Sequence, residues 1–189
     1  MLDCHHVFDV PVVAAHCVHV TQEDMQLLAK RHVSAAHCPV SNLKLASGIC
    51  PLKRFYDNGI NLAIGTDGPA SNNCLDMFRE MFLVTALQKY RENDAAAFPA
   101  FDVLKMACTG GALAMGLTDC DVLAPGKQAD LAVIDLMQPN MQPIHNIAKN
   151  LVYAGTKQNV VMTMVAGKIL YENGKFTTVD ANEVYERAE

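Results

Sequence analysis

No CxxC pair joins any of the seven cysteines, and no cluster of lysine and arginine interrupts a net charge of −5. The first absence argues against a zinc ribbon, and an odd number of scattered thiols argues against a complete disulfide set. They read as reduced, packed thiols of an intracellular protein, so a cytoplasmic setting is expected. The charge argues against a nucleic-acid partner. Apolar stretches are broken by polar residues well short of membrane-spanning length, and no signal peptide is visible, so no membrane partner is expected. No repeat of fixed period and no low-complexity tract occurs. With 51% hydrophobic and 19% charged residues over 189, the composition is that of a globular chain with ample material for a core.

Three stretches, VPVVAAHC, VSAAHCPVSN and NLAIGTDG, run apolar and β-favouring until they stop at His16, His37 and Asp67. Strands of a parallel sheet are buried on both faces and read as continuous apolar runs, so these stretches predict three such strands. A polar side chain at the end of each lands at the rim of the sheet. In a barrel of parallel strands the carboxyl rim is where chemistry is done.

Helices are predicted between the strands. Thr21 opens TQED, a capping pattern that supplies acceptors to the free amides of a first turn, with Met25, Leu27 and Leu28 as its apolar positions. Pro51 precedes Leu52, Phe55 and Tyr56 at helical spacing before an Asn58–Gly59 stop. Leu75 to Tyr90 forms a long amphipathic pattern, and a further helix is expected from Phe101 to Gly116. The order strand, helix, strand, helix, strand, helix with short connections gives parallel neighbours. Beyond Leu117 the pattern changes to turn signals and short β-like runs, ADLAVIDL, NLVYAGT and NVVMTMVAGKILYENGKF, with Asn173–Gly174 as a hairpin turn and Ala181 to Glu189 as a short polar helix. The reading is therefore α/β: residues 1–116 as part of a barrel and 117–189 as a small β-rich module.

Taken one at a time, the candidate residues admit plain readings. A carboxylate at a buried strand end needs a partner, which is either a cation or the amides of the turn that follows Asp67. A histidine on a strand is by default structural, and His37 reads as a packing or loop-ordering residue. Met77 and Met81, one turn apart, suit core packing better than a thioether pocket. Glu23, Asp24 and Asp76 read as helix starts.

Together, AAHCVH, AHCPVSNLKLASG, GTDGPASNN, ACTGGALAMGL and PGKQADLAVID resemble the second half of the amidohydrolase superfamily, and within it the deaminases of methylthioadenosine and S-adenosylhomocysteine. The resemblance covers nearly the whole chain. It implies a metal-dependent (β/α)8 barrel in which a divalent ion, zinc first and Fe2+ or Mn2+ as alternatives, lowers the pKa of a bound water. It implies hydrolytic deamination of a 6-aminopurine nucleoside. Asp67 matches the metal-binding aspartate that also handles the proton of the attacking water, and His16 the histidine that steadies that water. Ser41 and Asn42, on the loop after the second strand, are expected to meet substrate, with Lys44 nearby.

The same resemblance implies residues that this sequence lacks: a His-x-His pair at the first barrel strand, and a histidine with a nearby glutamate at the fifth. A catalytic zinc needs three protein ligands and an open position, and a barrel takes eight strands and about 250 residues. The expectation is thus the carboxyl-terminal part of a longer deaminase, inactive alone. The alternatives are a non-catalytic half-barrel completed by an amino-terminal half or by another copy of itself, and an enzyme acting on guanine or a triazine.

Overall fold

In the computed structural model, which describes residues 2–188, two sheets organise the chain. The first is parallel, in the order β1 (Val13–Ala15), β2 (Ser34–His37), β3 (Leu62–Ile64). Ala14 lies opposite Ala35, and Ala36 opposite Ala63. All three residues of β3 are buried, as its unbroken apolar run requires. Among the described residues β1 pairs with β2 alone, so its other side is a free edge lined by exposed Val10 and Val13.

Helix α1 (Gln22–Lys30) starts on the predicted cap: Thr21 Oγ1 accepts from the Asp24 amide, and the Asp24 carboxylate accepts from the Thr21 amide. The segment after β2, expected as a loop, is instead a six-residue helix, α2 (Pro39–Lys44), with Pro39 at its first position. The cap-and-stop pattern from Pro51 becomes α3 (Leu52–Asp57). Asp76 caps α4 (Met77–Glu92) by accepting from the Phe78 amide. The single helix expected from Phe101 to Gly116 is three pieces: α5 (Ala100–Lys105), a π turn (Met106–Gly110) and α6 (Gly111–Ala114). The widened turn brings Gly110 against β3 so closely that a Cβ there would lie 2.0 Å from the Leu62 carbonyl oxygen. Asn61 fastens the contact by donating 3.0 Å to the Gly110 carbonyl.

The second sheet is antiparallel, in the order β4 (Leu131–Ile134), β5 (Val160–Val165), β6 (Lys168–Glu172), β7 (Lys175–Phe176). Asn173 and Gly174 turn the last hairpin with φ of 46° and 86°, the left-handed pair that a tight two-residue turn demands. NLVYAGT, expected as a β-like run, lies mostly in a helix, α7 (Ile147–Tyr153). Asn146 caps it, and Val152 is buried in the same core as Val84 of α4 and Val103 of α5. The predicted polar helix is α8 (Ala181–Ala188), and Glu189 lies outside the described residues. The core runs from Met25 and Leu28 through Leu52 and Phe55 to Met81, Val84 and Val103. Each fully buried side chain of this size contributes about 1.5–3 kcal/mol.

Candidate active site at the carboxyl rim of the parallel sheet

The ends of the three parallel strands bring His16, His37 and Asp67 to one rim. The His16 amide continues the ladder by donating 2.9 Å to the Ala36 carbonyl, after which the chain turns sharply, with φ of 65° at His16 and 46° at Cys17. Asp67, three residues past β3, has φ of 61°. Left-handed backbone at non-glycine residues costs about 1 kcal/mol or more apiece and concentrates where function requires it. Here it occurs at His16 and Asp67, two of the ten non-glycine residues with positive φ among the described residues.

Asp67 is held on every side. Its Oδ2 accepts from Ser41 Oγ at 2.6 Å and Ser71 Oγ at 2.7 Å, and its Oδ1 accepts from the Gly68 amide at 2.8 Å. The Ser41 hydroxyl, then the Ser71 hydroxyl and the Gly68 amide, with a smaller contribution from His16, hold the carboxyl down to about 2. Asp67 is therefore a carboxylate throughout the physiological range, and it also orders its own turn, as the plain reading had it.

His16 Nε2 lies 3.8 Å from Asp67 Oδ2. On the other side of the ring, Nδ1 lies 2.8 Å from Asn42 Oδ1. An amide oxygen only accepts, so this contact fixes the proton on Nδ1 and leaves the Nε2 lone pair facing the carboxylate's surroundings. Asn42 Nδ2 donates, at 3.4 Å, to His37 Nδ1, which puts the His37 proton on Nε2. That N–H is buried and has no partner among the described residues. Burial first, and the nearby His16 second, push His37 down to about 4, so it stays neutral. Burial lifts the Cys38 thiol to about 11 and the Cys50 thiol to about 12, which removes both as nucleophiles near neutrality.

Ser41 and Asn42, expected to meet substrate, are both buried, and their polar groups are engaged with Asp67, His16 and His37. The reason is α2, which carries both residues inward beneath the rim. Proline at a first helical position was the signal for that helix. Lys44, at the outer end of α2, donates to Asn73 Oδ1 and, at 3.1 Å, to the Ala70 carbonyl. Ser71 and the buried pair Asn72 and Glu80 escaped the sequence reading. Met77 and Met81 line a cavity of about 530 Å³ between α4, α5 and the antiparallel sheet that shares no lining residue with the rim.

The donors present do not make a divalent-ion site by themselves. Asp67 and His16 are one carboxylate and one imidazole, and the Asp67 oxygens are already bonded by two hydroxyls and an amide. Among the described residues no group of three or more His, Cys, Asp or Glu can hold an ion, whereas a catalytic zinc takes three protein ligands. At most, this rim is part of a ligand set.

The chain's similarities point the same way. The family model described as "Amidohydrolase family" matches residues 1–170. A 5-methylthioadenosine/S-adenosylhomocysteine deaminase of Pelotomaculum thermopropionicum is 42% identical over 188 residues, which is 100% of this chain and 43% of the relative. Among solved structures, an adenosine deaminase from Xanthomonas campestris with bound zinc superposes with a TM-score of 0.90 at 41% identity, covering 93% of this chain and 40% of that one. An atrazine chlorohydrolase from Arthrobacter aurescens TC1 complexed with zinc gives 0.84 at 28% identity, covering 93% and 39%. The chain thus spans about two fifths of the length of the relatives it matches.

Proposed function

The chain belongs to the amidohydrolase family, and from that premise we propose that it supplies the last three strand–helix units and the β-rich module of a deaminase that hydrolyses a 6-aminopurine nucleoside, methylthioadenosine or S-adenosylhomocysteine. In that reaction water adds to the ring carbon bearing the amine, the C–N bond breaks and ammonia leaves. The observation that carries the reading is the pair at the rim: an ionised Asp67 beside a histidine whose Nε2 is left free by the bond from Nδ1 to Asn42.

Each residue then has a part. The Asp67 carboxylate is the cation ligand that this rim offers among the described residues. His16 Nε2 accepts a hydrogen bond from the attacking water and fixes its direction. Ser41 and Asn42 act on substrate only through Asp67 and His16, as positioning residues. We take residues 1–116 and 117–189 as the two modules. A divalent ion, zinc first and Fe2+ or Mn2+ next, belongs to this proposal, with its remaining ligands supplied from outside these residues. The isolated chain is therefore inactive, and the edge of β1 is where the rest of the barrel, or a second copy, would pair. A cytoplasmic setting is part of the proposal, supported by seven unpaired cysteines; no helix among the described residues is long and apolar enough to cross a membrane.

The test joins this chain to the part of the Pelotomaculum thermopropionicum relative that it does not match, and follows bound zinc and ammonia release. The expected result is about one zinc and turnover of methylthioadenosine or S-adenosylhomocysteine in the joined protein, and neither in this chain alone. One tightly bound zinc on the isolated chain would overturn the incomplete ligand set. A zinc-loaded joined protein that leaves both nucleosides intact would overturn the substrate. Guanine and a triazine are then the next substrates to assay, the triazine favoured by the likeness to the atrazine enzyme.

A further inference from the structure

Helix α4 is built into the core by Met81 and Val84, yet between its caps it carries a carboxylate, Glu80, whose exposure is 0%. No cation pairs with it among the described residues. A charged group in such a place is unfavourable unless fixed hydrogen-bond donors replace its water. Two do. Oε2 accepts from the Val40 amide at 3.1 Å, and Oε1 accepts from Asn72 Nδ2 at 2.7 Å.

Those two donors lead to the two halves of the rim. Val40 precedes Ser41 and Asn42 on α2, and these bond Asp67 and His16 directly. Asn72, itself buried, donates its second amide hydrogen to the Thr66 carbonyl at 2.8 Å, and its Oδ1 accepts from the Cys74 amide at 3.1 Å. Thr66 is the residue before Asp67. One carboxylate therefore spans from the helix that orients His16 to the loop that presents Asp67. Besides the Ser41–Asp67 bond, which Glu80 supports from behind, the link between these segments from Lys44 to Asn73 and Ala70 is exposed, and solvent weakens it.

We propose that Glu80 is a positioning residue of the candidate active site, a buried strut that sets the α2 helix and the 66–72 loop at the spacing His16 and Asp67 require. The proposal rests on the reading of that pair as the working site. A glutamine cannot replace Glu80, because its NH2 would oppose either the Val40 N–H or the Asn72 NH2, donor against donor, and one of the two ties must break. The fold keeps most of its apolar packing, while α2 and the loop lose their common register.

The test reads the His16 ring in the 189-residue chain, without metal or substrate, by long-range 1H–15N correlation. In the unaltered chain His16 should carry its proton on Nδ1, and in Glu80→Gln the Nε2–H form should become the major one. Val84→Ala, a core truncation one turn along the same helix, should leave the Nδ1–H form in place. If Glu80→Gln does not fold, Glu80→Asp takes its place; it keeps the charge but is one methylene too short to reach both donors, and the same change is expected. An unchanged tautomer in the folded Glu80 variant, or an equal change in Val84→Ala, would overturn the proposal. In the joined deaminase, Glu80→Gln should lower kcat by about 10²-fold with KM little altered, the size of effect that a misplacement of about 1 Å produces. The ring readout needs no turnover, so a failed deaminase assay would count against the proposed function and leave the role of Glu80 to be judged by the tautomer.

Discussion

Acid should destabilise this fold through His37 in particular. The residue ends β2, its exposure is 1%, and its folded-state value is about 4 against about 6.5 for an unperturbed histidine. Burial is the larger cause and the neighbouring His16 the smaller. Above about pH 6.5 the ring is neutral in both folded and unfolded chains and contributes no pH dependence. Between about 6.5 and 4 the unfolded chain binds a proton that the folded chain refuses, so stability falls as pH falls. Linkage puts the loss at about 2 kcal/mol by pH 5 and about 3 kcal/mol by pH 4, after which it levels off. Urea unfolding at several pH values measures this directly. The control is His37→Asn, whose side-chain oxygen still offers Asn42 an acceptor but takes up no proton. The stability difference between the two proteins should shift by about 3 kcal/mol between pH 7.5 and pH 4. A difference that does not vary with pH, or a His37 ring that titrates near 6.5 in the folded chain, would refute the reasoning.

Gly110→Ala forces a methyl to within 2.0 Å of the Leu62 carbonyl, so either the π turn or β3 must move. A loss of about 3 kcal/mol, or failure to fold, is expected in thermal or urea unfolding. Ser41→Ala removes the first of the bonds that depress Asp67. The stability linked to this depressed carboxyl is present above the ordinary carboxylate range and is lost as pH falls towards 2; in the variant that contribution should be smaller and its loss complete at higher pH, seen as a raised Asp67 titration by carbonyl 13C NMR. In the joined deaminase, Asp67→Ala should abolish turnover and weaken metal binding, while His16→Ala should lower turnover by about 10² and spare the metal. Turnover unaffected by the loss of His16 would make that residue structural.

What the sequence made legible was local in origin. The unbroken apolar runs ending at His16, His37 and Asp67, the Thr21–Asp24 cap and the Asn173–Gly174 turn each depend on residues a few positions apart. What escaped depends on distant partners. Helix α2 is six residues long, too short to stand on its own hydrogen bonds, and the Val40 amide at its start is satisfied by Glu80, 40 positions away. NLVYAGT has a β-like composition, but its helix is set by the burial of Val152 in the core that also holds Val84 and Val103. The π turn follows from how closely Gly110 approaches Leu62, which no helical pattern encodes. Ser71 and Glu80 look like an ordinary loop residue and an ordinary helix residue until the loop after β3 folds back onto α2 and α4.

The geometry also separates two roles that the family resemblance assigns together to Asp67. A carboxyl held at about 2 is a poor base at neutral pH, because the hydroxyls of Ser41 and Ser71 and the Gly68 amide stabilise its ionised form. It is, by the same bonds, a permanently ionised and immobile anion. Oδ2 accepts twice and Oδ1 once, so of about four acceptor positions on a carboxylate one on Oδ1 stays open. His16 Nε2, with its proton assigned to the far side of the ring, is unencumbered and lies 3.8 Å from Oδ2. On the proposed reading the carboxylate fixes charge and the imidazole receives the hydrogen bond of the attacking water. On the proposed reading a proton carried by Asp67 enters at the open Oδ1 position, while Ser41 and Ser71, with the strut behind Ser41, hold Oδ2 and keep the carboxyl's affinity for that proton low.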